Sequence, residues 1–129
     1  MSAPAPTILL VEDDRFLRRA AEATLKQAGF VVTTAADGEE ALRQASASRP
    51  DVVLLDLIMP KLQGFEVLRR LKQDEATARI PVIVLSNLGQ DSDVRQALDL
   101  GAVAYLVKSN LSLQDLVKKV RTVLDEPPT

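Results

Sequence analysis

The sequence predicts an α/β fold, a doubly wound domain whose five-stranded parallel sheet carries helices on both faces. Two observations predict it. Five short blocks rich in Val, Ile and Leu alternate strictly with five longer stretches of helical apolar spacing, the order of successive right-handed β/α units. The first, third and fourth blocks are also nearly continuous apolar runs, as in parallel strands covered on both faces. At 129 residues the chain has the length of one domain with one core.

The first strand is "TILLV", residues 7–11. The first helix follows Asp14, with Leu17, Ala21, Leu25 and Ala28 on its inner face, Arg15, Arg18 and Arg19 on a basic outer face, and Gly29 as its stop. The second strand, "VVTTA" (31–35), is more polar and suits an edge. In "DGEEALRQA", Asp37 is placed as N-cap with Glu40 three residues on, the spacing of a capping box, and Ala41, Leu42 and Ala45 face inward. The third strand is "DVVLLD" (51–56), and its helix spans about 64–73 with Phe65, Leu68 and Leu71 buried. The fourth is "PVIVLS" (81–86), with a helix from Asp91 that buries Val94, Ala97 and Leu98 and stops at Gly101. The fifth is "AYLVK" (104–108). The last helix has Ser112 as N-cap with Asp115 three residues on, and an inner face of Leu113, Leu116, Val117, Val120 and Leu124. "MSAPAP" and "DEPPT" read as tails, giving a domain over residues 7–125 flanked by tails at 1–6 and 126–129.

Composition excludes much chemistry. With no Cys and no His, the chain has no disulfide, no thiolate or imidazole metal ligand and no Ser/His/Asp triad. Sixteen basic against eighteen acidic residues leave a net charge of only -2, so no basic footprint points to nucleic acid or a membrane surface. No signal peptide or membrane span is legible, and the expected location is the cytoplasm. Chemistry must run on carboxylates, hydroxyls and lysines.

Ligands of an open parallel sheet bind beyond the carboxyl ends of its strands. There the sequence places Glu12, Asp13 and Asp14 after the first strand, Asp56 at the end of the third, Ser86 and Asn87 at the end of the fourth, and Lys108 and Ser109 at the end of the fifth. Each has a plain alternative. The acidic triplet fits a helix N-terminus with Asp14 capping it, Ser86 fits a turn, and Lys108 fits a solvated strand end or a simple partner for the nearby acids. Asp56 fits such a reading least, because "LIMP" follows it rather than a turn rich in Gly or Asn. Clustered carboxylates repel unless a cation intervenes, and oxygen ligands without His or Cys suit Mg2+.

In "ILLVEDD", "DVVLLDLIMPKLQGFEVLRRLK", "IPVIVLS" and "GAVAYLVKS", taken in that order, the chain resembles the receiver domain of two-component response regulators. The resemblance covers nearly the whole chain. It implies a flavodoxin-like strand order of 2-1-3-4-5, and Asp56 as acceptor of a phosphoryl group from a phosphohistidine on a sensor histidine kinase or a histidine phosphotransfer protein. It implies that Mg2+ is held by Asp13, Asp56 and the backbone carbonyl of Ile58, with Glu12 acting through water. Lys108 and Ser86 would contact the phosphoryl group, and Tyr105 would be the switch aromatic. The output would pass through the fourth helix, fifth strand and fifth helix to a downstream protein target, with the chain a monomer or an activation-dependent dimer. No direct binding of nucleic acid, no membrane association and no turnover of an outside substrate is expected.

Three departures carry expectations. Ser109 replaces the proline common after the lysine, and a trans peptide is expected there because a cis bond before a non-proline residue costs about 2.5 to 4 kcal/mol. Ile58 and Leu88 are apolar where the family often has polar groups that place water, so loss of phosphate should be slow. "NLGQDSD" puts Asn87 and Leu88 where small residues are common. An aspartate-nucleophile phosphatase would use a second Asp at the position of Ile58. A flavin or nucleotide module would show GxGxxG or GxxxxGK[ST], and neither occurs. The start at Met1 and the short tail fit a stand-alone receiver, while a Pro-rich end would also serve as a linker within a longer regulator or hybrid kinase.

Overall fold

The computed structural model describes residues 4–59, 62–87 and 89–125. Its elements are β1 (Thr7–Val11), α1 (Arg15–Gln27), β2 (Val31–Ala35), α2 (Gly38–Ser48), β3 (Val52–Leu55), α3 (Gly64–Gln73), β4 (Val82–Ser86), α4 (Asp91–Asp99), β5 (Ala104–Val107) and α5 (Leu113–Asp125). The strands form one parallel sheet in the order β2-β1-β3-β4-β5, which places "VVTTA" at an edge as expected. A 3-10 turn over Lys108–Asn110 follows β5, so Lys108 lies just past the strand rather than within it.

The central strands are buried on both faces, and alternate residues feed two cores. Leu9, Val11, Val53, Leu55, Val82 and Val84 pack with α2, α3 and α4. Ile8, Leu10, Val52, Leu54, Ile83 and Leu85 pack with α1 and α5. The sheet is thus packed on both faces.

Local signals set the helix ends. Asp14 caps α1, its Oδ1 accepting from the Leu17 amide at 3.0 Å, and Gly29 ends it at φ 102°, a left-handed conformation that costs glycine little. Asp37 caps α2 through the Glu40 amide at 2.9 Å. The return arm of that capping box goes to the amide of Ala36 rather than of the cap residue. At α5 the box is reciprocal, with Ser112 Oγ accepting from the Asp115 amide at 3.0 Å and Asp115 Oδ2 accepting from the Ser112 amide at 3.3 Å. The Lys108–Ser109 peptide is trans, as the missing proline predicts.

Some inward faces differ from expectation. In α3 the buried residues are Val67, Leu68 and Leu71, while Phe65 is half-buried at the core margin. A spacing of three drifts off the helix face, since each residue advances about 100°, whereas 67, 68 and 71 stay on it. In α4 only Ala97 is buried, and Leu98 is 46% exposed, because one small residue suffices to seat this short helix and its neighbour then turns outward. In α5 Val123 joins Leu116, Val117 and Val120 in the core, and Leu113 and Leu124 sit at its edge. Leu17 of α1, its C-terminal cap Ala28 and Leu42 of α2 are likewise half-buried.

Candidate functional site

Strand register places the acidic residues. Val11 of β1 is level with Leu55 of β3, so Glu12 and Asp56 leave the sheet side by side, one residue beyond the last pair. Asp56 still donates its amide to the Val11 carbonyl at 3.1 Å, and Glu12 donates its own to Ala35 at 3.0 Å. Both backbones are therefore held by the ladder where the side chains branch off. Glu12 and Asp56 are buried, at 2% and 4% exposure, while Asp13 is exposed. Oxygen atoms of Glu12, Asp13 and Asp56 lie within 4.8 Å of one another.

Lys108 closes this cluster. Ser86 is level with Val107, so Lys108 starts one residue beyond β5 and reaches across the end of β4. Its Nζ donates to Glu12 Oε1 at 2.5 Å and to Asp56 Oδ2 at 3.0 Å. Asp56 Oδ1 accepts from the Ile58 amide at 3.2 Å, and Glu12 Oε2 accepts from the Asp14 amide at 3.1 Å. Each buried carboxylate is thus held by one cation and one backbone amide.

One cation does not balance three carboxylates. Burial raises the Glu12 pKa to about 7, with Asp56 pushing it further up and the Lys108 hydrogen bond pulling it down. At Lys108 burial disfavours the ammonium, but its bonds to Glu12 and Asp56 outweigh that and lift its pKa above the ordinary lysine value. The donor set is all hard oxygen, converging and short of positive charge, which fits a divalent ion such as Mg2+.

The remaining site residues lie around this centre. Ser86 is fully buried at the end of β4, and the Tyr105 hydroxyl of β5 is hydrogen-bonded to it. Burial raises the Tyr105 pKa and that bond opposes the rise. Ile58 is 56% exposed at the mouth. Leu88 lies outside the described residues. Arg18, assigned by periodicity to a solvated basic face, instead folds back: its Nη1 donates to the carbonyls of Glu12 at 2.8 Å and Asp13 at 3.3 Å. The signal in the sequence is its place four residues after the cap Asp14, one turn up the helix and within reach of the loop.

The profile of the response regulator receiver domain matches residues 8–121. The chain belongs to that family. Among relatives of this receiver domain, the gliding motility regulatory protein of Myxococcus xanthus is 45% identical over 88% of the chain and 14% of its own length. The DNA-binding dual master transcriptional regulator RpaA of Synechocystis is 40% identical over 92% of the chain and 49% of its own length. The chain thus spans half or less of these curated relatives. Among solved structures, the receiver domain of a Pseudomonas aeruginosa sensor histidine kinase, which has a magnesium ion coordinated in its active-site cleft, superposes with a TM-score of 0.86. It is 31% identical, and the match covers 95% of this chain and 99% of that one. Among the described residues no helix is long and apolar enough to cross a membrane.

Proposed function

We propose that this receiver domain takes a phosphoryl group onto Asp56 from a phosphohistidine of a sensor histidine kinase or histidine phosphotransfer protein. The observation that carries the reading is the convergence of Glu12, Asp13 and Asp56 around one point, with Lys108 bridging two of them. A carboxylate oxygen of Asp56 attacks phosphorus, the P–N bond breaks, and its electron pair leaves on the imidazole nitrogen, which is then protonated. Asp13, Asp56 and the Ile58 carbonyl would hold Mg2+ directly, and Glu12 would hold it through water. When bound, the ion neutralises charge on the acceptor and on the phosphoryl oxygens. The buried ladder positions Asp56 so that little reorganisation is needed at the moment of transfer, and Lys108 presents its ammonium to a phosphoryl oxygen.

The aspartyl phosphate then biases a two-state element. Its new oxygens draw Ser86 and Lys108, so Ser86 gives up its bond to Tyr105 and the aromatic ring repacks. The change reaches the face formed by α4, β5 and α5, where Leu98 and Val103 are each 46% exposed, and that face engages a downstream protein or a second copy. The chain acts in the cytoplasm, binds no nucleic acid itself and turns over no outside substrate. Exposed, apolar Ile58 offers no acid or base to the phosphorylated site, which keeps the modified state long-lived.

The test is beryllofluoride, a mimic of the acyl phosphate, added with and without Mg2+. Mg2+-dependent chemical-shift changes at Ser86, Tyr105 and α4 support the reading, and a spectrum unchanged by the pair overturns it.

A further inference from the structure

We propose that Arg18 is a positioning residue for Mg2+ binding by the acidic loop, an inference that rests on reading Glu12, Asp13 and Asp56 as a Mg2+ site. The Arg18 side chain is half-buried, and its single Nη1 atom bonds two successive carbonyls, those of Glu12 and Asp13. These belong to the peptide planes on either side of the Asp13 Cα. Pinning both planes fixes the backbone dihedrals of Asp13, and with them the direction of its Cα–Cβ bond.

The Asp14 amide, which donates to Glu12 Oε2 at 3.1 Å, also holds the second of these planes, but among the described residues only Arg18 bonds both. Glu12 is held by Lys108 and the Asp14 amide, and Asp56 by Lys108 and the Ile58 amide. Among the described residues the Asp13 carboxylate has no hydrogen-bond or ion-pair partner, so its aim toward the other two depends on the backbone that carries it. That backbone has just left the strand ladder. Arg18 is itself anchored, because α1 starts at the cap Asp14 and the Arg18 amide donates to the Asp14 carbonyl at 2.9 Å. The first turn of α1, the cap and the acidic loop therefore form one closed loop of bonds. The guanidinium bonds backbone carbonyls here and so does not compete with a metal for the carboxylate oxygens. Groups that orient metal ligands in this way typically contribute about 10- to 100-fold in affinity.

The experiment is calorimetric titration of the metal-free protein with Mg2+ alone, for wild type, Arg18→Met, Arg18→Lys, Arg15→Met and Asp13→Asn, each checked for folding by urea unfolding. Arg15 lies on the same first turns of α1, is exposed and bonds nothing in the loop, so it reports the loss of a nearby charge by itself. The expected result is about tenfold weaker Mg2+ binding in Arg18→Met and wild-type affinity within about twofold in Arg15→Met. Arg18→Lys should fall between, since lysine keeps the charge but ends about one bond short of Nη1. Wild-type affinity in Arg18→Met, or an equal loss in Arg15→Met, would overturn the proposal. Should Arg18→Met not fold, Arg18→Lys decides it: binding weaker than both wild type and Arg15→Met supports the role, and binding equal to wild type overturns it. A wild type that takes up no Mg2+, or an Asp13→Asn variant that binds as well as wild type, would instead remove the metal-site reading beneath it.

Discussion

The Lys108 ammonium lies 3.0 Å from Asp56 Oδ2, in a pocket where both groups are largely buried. The same ammonium binds Glu12 at 2.5 Å. A single cation therefore holds the proposed acceptor and one member of the acidic pair in register. Breaking a buried pair by deleting one partner leaves the other charge uncompensated, so loss of Lys108 would leave both Glu12 and Asp56 without their cation.

Glu12 makes the metal-free protein sensitive to pH. Its carboxyl titrates near 7 in the folded chain against 4.5 for the ordinary group. Between those values the folded state binds more protons than the unfolded one, so stability falls as pH rises through this window. In EDTA the loss between pH 5 and pH 7.5 should be on the order of 2 kcal/mol, read from urea midpoints. Glu12→Gln should flatten that slope, and an unchanged slope in the variant would assign the titration elsewhere.

Gly64 at the start of α3 touches the acceptor loop. A Cβ built there would collide with the Asp56 carbonyl oxygen and the Leu57 Cα, both backbone atoms that cannot step aside. Gly64→Ala should cost about 1–3 kcal/mol and slow phosphorylation of Asp56 by acetyl phosphate about tenfold. Wild-type rates in a folded variant would show that the loop absorbs the methyl group.

In the proposed function the apolar side chain of Ile58 cannot orient an attacking water. Replacing it with Asn puts an amide that can orient water beside the acyl phosphate, and Ile58→Asn should speed loss of phosphate by about tenfold, measured by decay of the labelled protein after removal of the donor. A lifetime equal to wild type would show that Ile58 does not set the rate.

Arg49 ends α2 in the left-handed region, at φ 45° and ψ 67°. A side chain there costs roughly 1–2 kcal/mol that glycine avoids, and glycine is favoured at helix C-termini. Arg49→Gly should raise stability by about 1 kcal/mol, or about 4 °C in Tm, without changing phosphorylation. A lower Tm would mean that the arginine side chain stabilises the turn by more than its strain.

The layout of this domain is legible in the sequence because buried parallel strands and amphipathic helices leave different periods. The runs around Leu9, Leu54 and Val84 are apolar on both faces and stand in the middle of the sheet. The mixed pattern from Val31 to Ala35 stands at its edge. Less legible is how each helix is turned about its axis. Val67 replaced Phe65 in the core, and Leu98 faced outward, because apolar neighbours compete and only the shape of the facing sheet decides between them. At the site, residue types and strand ends brought Glu12, Asp13, Asp56 and Lys108 together. Lys108 as a partner for the nearby acids was legible; Arg18 was read as part of a basic outer face, because where a long side chain folds back across a turn leaves only its spacing from Asp14 as a trace.

Incubation with acetyl phosphate and Mg2+, read by intact mass on wild type and on Asp56→Asn, tests the central claim most directly. A single phosphoryl adduct on the wild type, absent without Mg2+ and absent from Asp56→Asn, is the predicted result. No adduct on the wild type, or an equal one on Asp56→Asn, would contradict the assignment of Asp56 as the acceptor.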